Sequence, residues 1–146
     1  MAPRFKLESV LQHRKHLEEC AQQKFSDATR RWDQARQGLN GMRHKRSLYE
    51  RELKIKMNAA VTADELLRFH RYMGRLDSEI EAQTVLVEKL AAEREAQRER
   101  LNTALQNRKV IEKLKERFVA KTTRQGLAQE QKILNEVALH RFQGES

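Results

Sequence analysis

Helix breakers are scarce in this sequence: one proline and five scattered glycines punctuate 146 residues, so a long helix meets few obstacles. The sparse glycines also exclude nucleotide chemistry. Neither a GxxxxGK loop nor a GxGxxG turn occurs, so nothing can cradle a phosphate and no ATP hydrolysis is expected. The lone cysteine, Cys20, cannot form an internal disulfide, which agrees with a reducing compartment. No apolar run approaches the ~18 residues of a membrane span. The opening Met1-Ala2-Pro3-Arg4-Phe5-Lys6 lacks the apolar segment of a secretory signal, so the protein is expected to stay in the cytoplasm.

Catalytic and metal sites are equally hard to assemble. His13, His16 and Cys20 share a helical face at i, i+3 and i+7, but a fourth zinc ligand and an enclosing shell are missing. His44 and His70 have no nucleophile at a recognisable spacing, and paired helices offer no dry pocket for acid–base work. The expectation is therefore a non-enzymatic chain with no catalytic residues, no cofactor and no metal.

What remains is abundant in helix formers: Glu, Lys, Arg, Gln, Ala and Leu dominate. Hydrophobic residues make up 38% and charged residues 35%, too few apolar groups for a globular core but enough for a narrow stripe. That stripe is readable. At alternating spacings of four and three, a first arm gives Ala21, Phe25, Ala28, Trp32, Ala35, Leu39, Met42, Arg46, Tyr49 and Leu53. Leu7, Val10, Leu11 and Leu17 continue it upstream with a slight phase slip. A second arm runs through Leu66, Phe69, Met73, Leu76, Ile80, Gln83, Val87, Leu90, Arg94 and Gln97 to Leu101, Ala104, Arg108, Ile111, Lys115 and Phe118. Polar seam members such as Arg94 and Arg108 usually fix register at a cost in stability. Trp32 and Phe25 lie on the seam and read as packing residues.

Between the arms, Thr62 and Glu65 form a capping box, Asp64 adds charge to the first turn, and Val61 and Leu66 stand at staple spacing. A second helix should start near Ala63. A short connection makes the arms antiparallel neighbours, pairing positions whose numbers add to about 121: Met42 near Ile80, Ala35 near Val87, Leu11 near Ile111. The predicted fold is all-α, two long helices in an antiparallel coiled-coil hairpin with a C-terminal helical extension. It forms a single domain over residues 1–146, with arm 1 at about 4–58, a turn at about 59–62, arm 2 at about 63–118 and the extension at 119–146. In the extension Leu127, Ile133, Leu134, Val137 and Leu139 form a helical pattern without an intramolecular partner. Either another protein completes that face or the segment frays.

Lys and Arg number 30 against 21 Asp and Glu, a formal charge of +9, so acidic partners are expected. One basic group, Arg43 to Lys56, lies late in arm 1; another, Arg108 to Arg124, lies at the open end, where only Glu112 and Glu116 offset seven positive charges. A solvated face laced with i,i+4 pairs does not account for that imbalance.

The stretch Asn107-Arg108-Lys109-Val110-Ile111-Glu112-Lys113-Leu114-Lys115-Glu116-Arg117-Phe118, followed by Glu130-Gln131-Lys132 and Asn135 to Arg141, resembles the C-terminal signature of the flagellar export protein FliJ family. The opening Phe5-Lys6-Leu7-Glu8-Ser9-Val10-Leu11-Gln12-His13-Arg14-Lys15 is similar to that family's N-terminus, and the length and two-arm layout agree. Asn135 stands where an acidic residue is more usual. The resemblance implies a cytoplasmic component of the flagellar type III secretion apparatus, similar in fold to the central stalk of rotary ATP synthases. Its open end would insert into the hexameric export ATPase, its tip would reach the cytoplasmic domain of the membrane export gate, and export chaperones would associate with it. Carried onto this chain, the ATPase-binding residues would be Arg14, Lys15, Arg108, Lys109, Lys113, Arg117, Lys121 and Arg124. The export-gate residues would be Tyr72, Leu76, Glu79 and Gln83, at i, i+4, i+7 and i+11 near the tip.

Three alternatives compete. A basic coiled coil could bind nucleic acid or act as a scaffold, but no groove-reading element or stacking platform accompanies the charge. The equivalent stalk of an injectisome shares the architecture. Membrane-surface binding is disfavoured because aromatics do not line up opposite the basic faces.

Overall fold

The computed structural model describes residues 3–144. It contains helix α1, Glu8–Asn58, and helix α2, Ala63–Gly144, and no strand occurs among the described residues. The extension expected over 119–146 therefore continues α2, with Glu145 and Ser146 outside the described residues, as are Met1 and Ala2 of the opening segment. Both helices carry acidic residues in the first turn (Glu8; Asp64 and Glu65) and a basic residue in the last (Lys56; Arg141), which complements their dipoles.

Local chemistry explains where the helices begin and end. The Glu65 N–H donates to Thr62 Oγ1 at 3.3 Å and the Leu66 N–H to the Thr62 carbonyl at 3.1 Å, so Thr62 caps α2 as its spacing to Glu65 predicts. Helix α1 ends without glycine. There the Ala59 N–H is shared between the carbonyls of Ile55 (3.3 Å) and Lys56 (3.1 Å), tightening the last turn before the chain leaves the helix.

The chain packs as two compact units, one joining the chain up to Glu19 with the chain from Asn102 onward, the other comprising Cys20–Leu101. In the second unit the arms pair antiparallel. All ten arm 1 seam positions from Ala21 to Leu53 are buried or half-buried, and so is every arm 2 position of the predicted stripe from Leu66 to Leu101. Ala28, Ala35, Leu39, Phe69 and Leu76 are the buried residues of this unit. Tyr49 stacks between Tyr72 (ring centroids 4.3 Å apart) and Phe69 (5.0 Å) near the turn.

Three polar seam residues in this unit, Arg46, Gln83 and Arg94, have defined partners. Arg46 pairs with Asp77 at 2.5 Å. The Gln83 amide donates to the Ala35 carbonyl at 3.0 Å, passing over Gly38, where a Cβ would meet it at 3.3 Å. A mid-helix glycine costs about 1 kcal/mol relative to alanine, and here it leaves room for that bond. Arg94 donates to Thr29 Oγ1 at 3.0 Å while its guanidinium lies 5.4 Å from the Phe25 ring and 5.0 Å from Trp32. Such pairs specify register: a slip of one turn would break all of them.

In the first unit Leu11 is the anchor, 1% exposed, and Phe5 meets Phe118 with ring centroids 5.5 Å apart. The upstream stripe corrects the sequence reading. Val10 and Leu11 face inward, but Leu7 and Leu17 are exposed, and Arg14 and Glu18 take the half-buried places. The four-three spacing therefore continues back from Ala21 without a phase slip, through polar residues that an apolar search passes over. From Thr123 to Gly144 every residue is exposed.

Candidate docking surfaces

The eight basic residues of the expected ATPase-binding surface divide into three situations. Lys109, Lys113, Arg117, Lys121 and Arg124 are all exposed. At about 100° per residue they fall within an arc of about 120° centred opposite the seam. None of the five is ion-paired among the described residues. They form a continuous cationic stripe on one face of α2.

Arg108 is held differently. Its guanidinium bonds Glu18 across the seam and Glu112 one turn on, and the Arg108 and Glu18 side chains are 20% and 19% exposed. The Glu18 hydrogen bond, partly opposed by desolvation and aided by the charges of Glu18 and Glu112, raises the Arg108 pKa further above its ordinary value. Arg108 thus acts within the chain, neutralised and fixed in place. Glu18 was not found from sequence, although counting the heptad back from Ala21 reaches it. Arg14 and Lys15 are half-buried on α1, and Lys15 borders an open groove floored by Leu11, Val119 and Ala120. Lys115, another seam residue, pairs with Glu8 at 2.8 Å. That contact and the Gln12 amide hold the Glu8 carboxyl below the usual carboxylate range.

The four residues of the second candidate surface do not share an exposed face. Leu76 is 3% exposed, Tyr72 is half-buried against Tyr49, and Gln83 is tied to the Ala35 carbonyl, leaving Glu79 exposed. The i, i+4, i+7, i+11 spacing is itself a seam spacing, which is why three of the four face α1.

Beyond the paired region, Leu127, Ile133, Leu134 and Val137 occupy an arc of about 120° with nothing packed on them, Leu134 being 62% exposed. Leu139 and Phe142 are exposed off that arc. Among the described residues no helix is long and apolar enough to cross a membrane, and no group of three metal-binding side chains gathers.

Comparison with known proteins gives one match, to a protein family. No curated protein and no solved structure matches the chain. The family described as "Flagellar FliJ protein" matches over residues 3–146, essentially its whole length. With the helical pair and the two-arm spacing already in place, that match identifies the chain as a member of the flagellar FliJ protein family, with a role in flagellar protein export.

Proposed function

We propose that this protein is the stalk of the flagellar type III export apparatus, a cytoplasmic, non-catalytic helical hairpin that inserts its open end into the hexameric export ATPase. In this reading it is held at the inner membrane through the export apparatus and also associates with export chaperones. The observation that carries it is the cationic stripe Lys109, Lys113, Arg117, Lys121 and Arg124, exposed and without ion pairs among the described residues, beside an apolar helical face that none of the described residues covers. A ring of acidic loops around an apolar pore would satisfy both features at once. Arg14 and Lys15 extend the basic surface from α1, while Arg108 holds the two helices together beneath it.

At the export gate, Glu79 makes the direct contact, and Tyr72, Leu76 and Gln83 set the position of the helix that presents it. This reading assigns the hairpin two contacts and no chemistry of its own.

The test is ATP turnover by the flagellar export ATPase with and without the chain. Lys113→Glu, Arg117→Glu and Lys121→Glu together should abolish stimulation while leaving the helical melting curve in place, since all three side chains are exposed. Undiminished stimulation by the triple variant overturns the assignment of this face.

A further inference from the structure

The uncovered apolar arc near the end of α2 is not purely apolar. Two charged residues, Glu130 and Arg141, fall within about 20° of the middle of the arc that holds Leu127, Leu134 and Val137. They stand about 16 Å apart along the helix, too far to meet each other. Both are exposed, and neither is ion-paired among the described residues. Lys132 and Glu136, the other two charges of this stretch, lie on the far side of the helix. Charges set inside an apolar stripe are what the chain already uses between its own helices, where Arg46 meets Asp77 and Arg108 meets Glu18.

The order of these residues complements itself when the helix is reversed. Leu127, Glu130, Leu134, Val137, Arg141 and Gly144 follow alternating spacings of three and four, the pattern of a two-stranded seam. Laid antiparallel on a second copy, with Leu134 facing Val137 of that copy, the same register sets Glu130 against Arg141 and Leu127 against Gly144. The two-fold axis repeats each of these layers, so both ion pairs and both apolar layers form at once. A parallel pair would instead put Glu130 on Glu130 and Arg141 on Arg141. It would also align the two cationic stripes from Lys109 to Arg124, which the antiparallel pair leaves at opposite ends, outside the overlap. Within the overlap two acidic and two basic residues balance. Because α2 runs unbroken to Gly144, much of the ordering cost is met before the copies meet.

We propose that the end of α2, from Leu127 to Gly144, is a homodimer contact in which a second copy of this chain covers the apolar arc in antiparallel register. The overlap is about 27 Å long and smaller than stable interfaces usually are, so the dissociation constant should be about 10 to 100 µM. The contact goes beyond the stalk reading and requires none of its partners.

The experiment is sedimentation equilibrium of the full chain, with no other protein present, over about 1 to 300 µM. A reversible monomer–dimer equilibrium without larger species is expected, since the two-fold contact closes on itself. Leu134→Asp should weaken it at least about a hundredfold. Leu139→Asp, the same change on the opposite side of the helix, should leave it within about threefold. Because the axis counts each change twice, Glu130→Arg and Arg141→Glu should each weaken dimerisation about tenfold or more. The two together should restore it to within about threefold, because the charges are then exchanged and not lost. A monomer throughout the range overturns the proposal, as does a dimer indifferent to Leu134→Asp. Single reversals without effect, or a double variant without rescue, overturn the antiparallel register and the proposal with it. A monomeric chain whose stimulation of the export ATPase is lost with Leu134→Asp assigns the arc to that enzyme and leaves the stalk reading standing.

Discussion

Replacing Leu76 with alanine removes a side chain from the most enclosed position of the second unit, where 3% of the residue is exposed. Leucine-to-alanine changes in cores cost about 2 to 5 kcal/mol, the spread reflecting how far the site collapses or fills. Here the core is one seam deep, and solvent lies a side chain away on either flank, so the cavity is relieved easily and the cost falls at the low end, about 2 to 3 kcal/mol. For a chain of this length each kcal/mol lowers the melting temperature by about 3 °C, giving a fall of about 6 to 9 °C. Leu134→Ala supplies the contrast: the same chemistry on a residue 62% exposed should stay within about 0.5 kcal/mol, or 1 to 2 °C. Helical melting followed by circular dichroism at low protein concentration reads both. Equal falls for the two variants would refute the reasoning, because Leu134 would then be packed in the free chain. No fall for Leu76→Ala would refute the register itself.

Other changes probe the polar members of the seam. The Gln97 Oε1 atom is buried without a hydrogen-bond partner, so Gln97→Leu should stabilise the chain by about 1 kcal/mol, seen as a rise of about 3 °C in the same melt. Arg94→Met should change the emission of Trp32, the single tryptophan, by removing the guanidinium 5.0 Å from its ring; an unaltered spectrum would show that the two do not meet. Thr62→Ala should cost about 1 kcal/mol through loss of the cap on Glu65, whereas Thr62→Ser should restore most of it. The depressed pKa of Glu8 makes its contribution complete above the ordinary carboxylate range and lost as pH falls through its lower folded value. Lys115→Met should therefore flatten the acid side of the melting-temperature profile, from the ordinary carboxylate range downward, and an unchanged profile would remove Glu8 from the account.

The seam was legible because its signal is repeated. Most heptads from Ala21 to Leu53 and from Leu66 to Phe118 vote for the same face, and polar members such as Arg46 or Gln83 do not cancel their neighbours. The helix start was legible for a different reason, since Thr62 and Glu65 act on each other locally. Upstream of Ala21 the vote is weak: Arg14 and Glu18 occupy seam places, and apolar Leu17 points outward, so the apolar search followed the wrong residues. Glu18 is selected by Arg108 ninety positions later, and no local pattern contains that information.

The same asymmetry separates charges that fold the chain from charges left for a partner. Spacing alone grouped Arg108 with Lys109, Lys113 and Arg117, because all are basic and near in sequence. Their neighbours in space distinguish them. Arg108, like Arg46, Arg94 and Lys115, would be an uncompensated cation in a half-dry seam if it had no partner, so each has acquired a carboxylate, hydroxyl or aromatic face. On the opposite face water already solvates the ammonium and guanidinium groups, and folding places no demand on their sign. A run of five unpaired cations there gains nothing for the monomer and adds mutual repulsion along one side of α2. Charge that folding does not require, and slightly opposes, is the part of the +9 that a binding partner must account for.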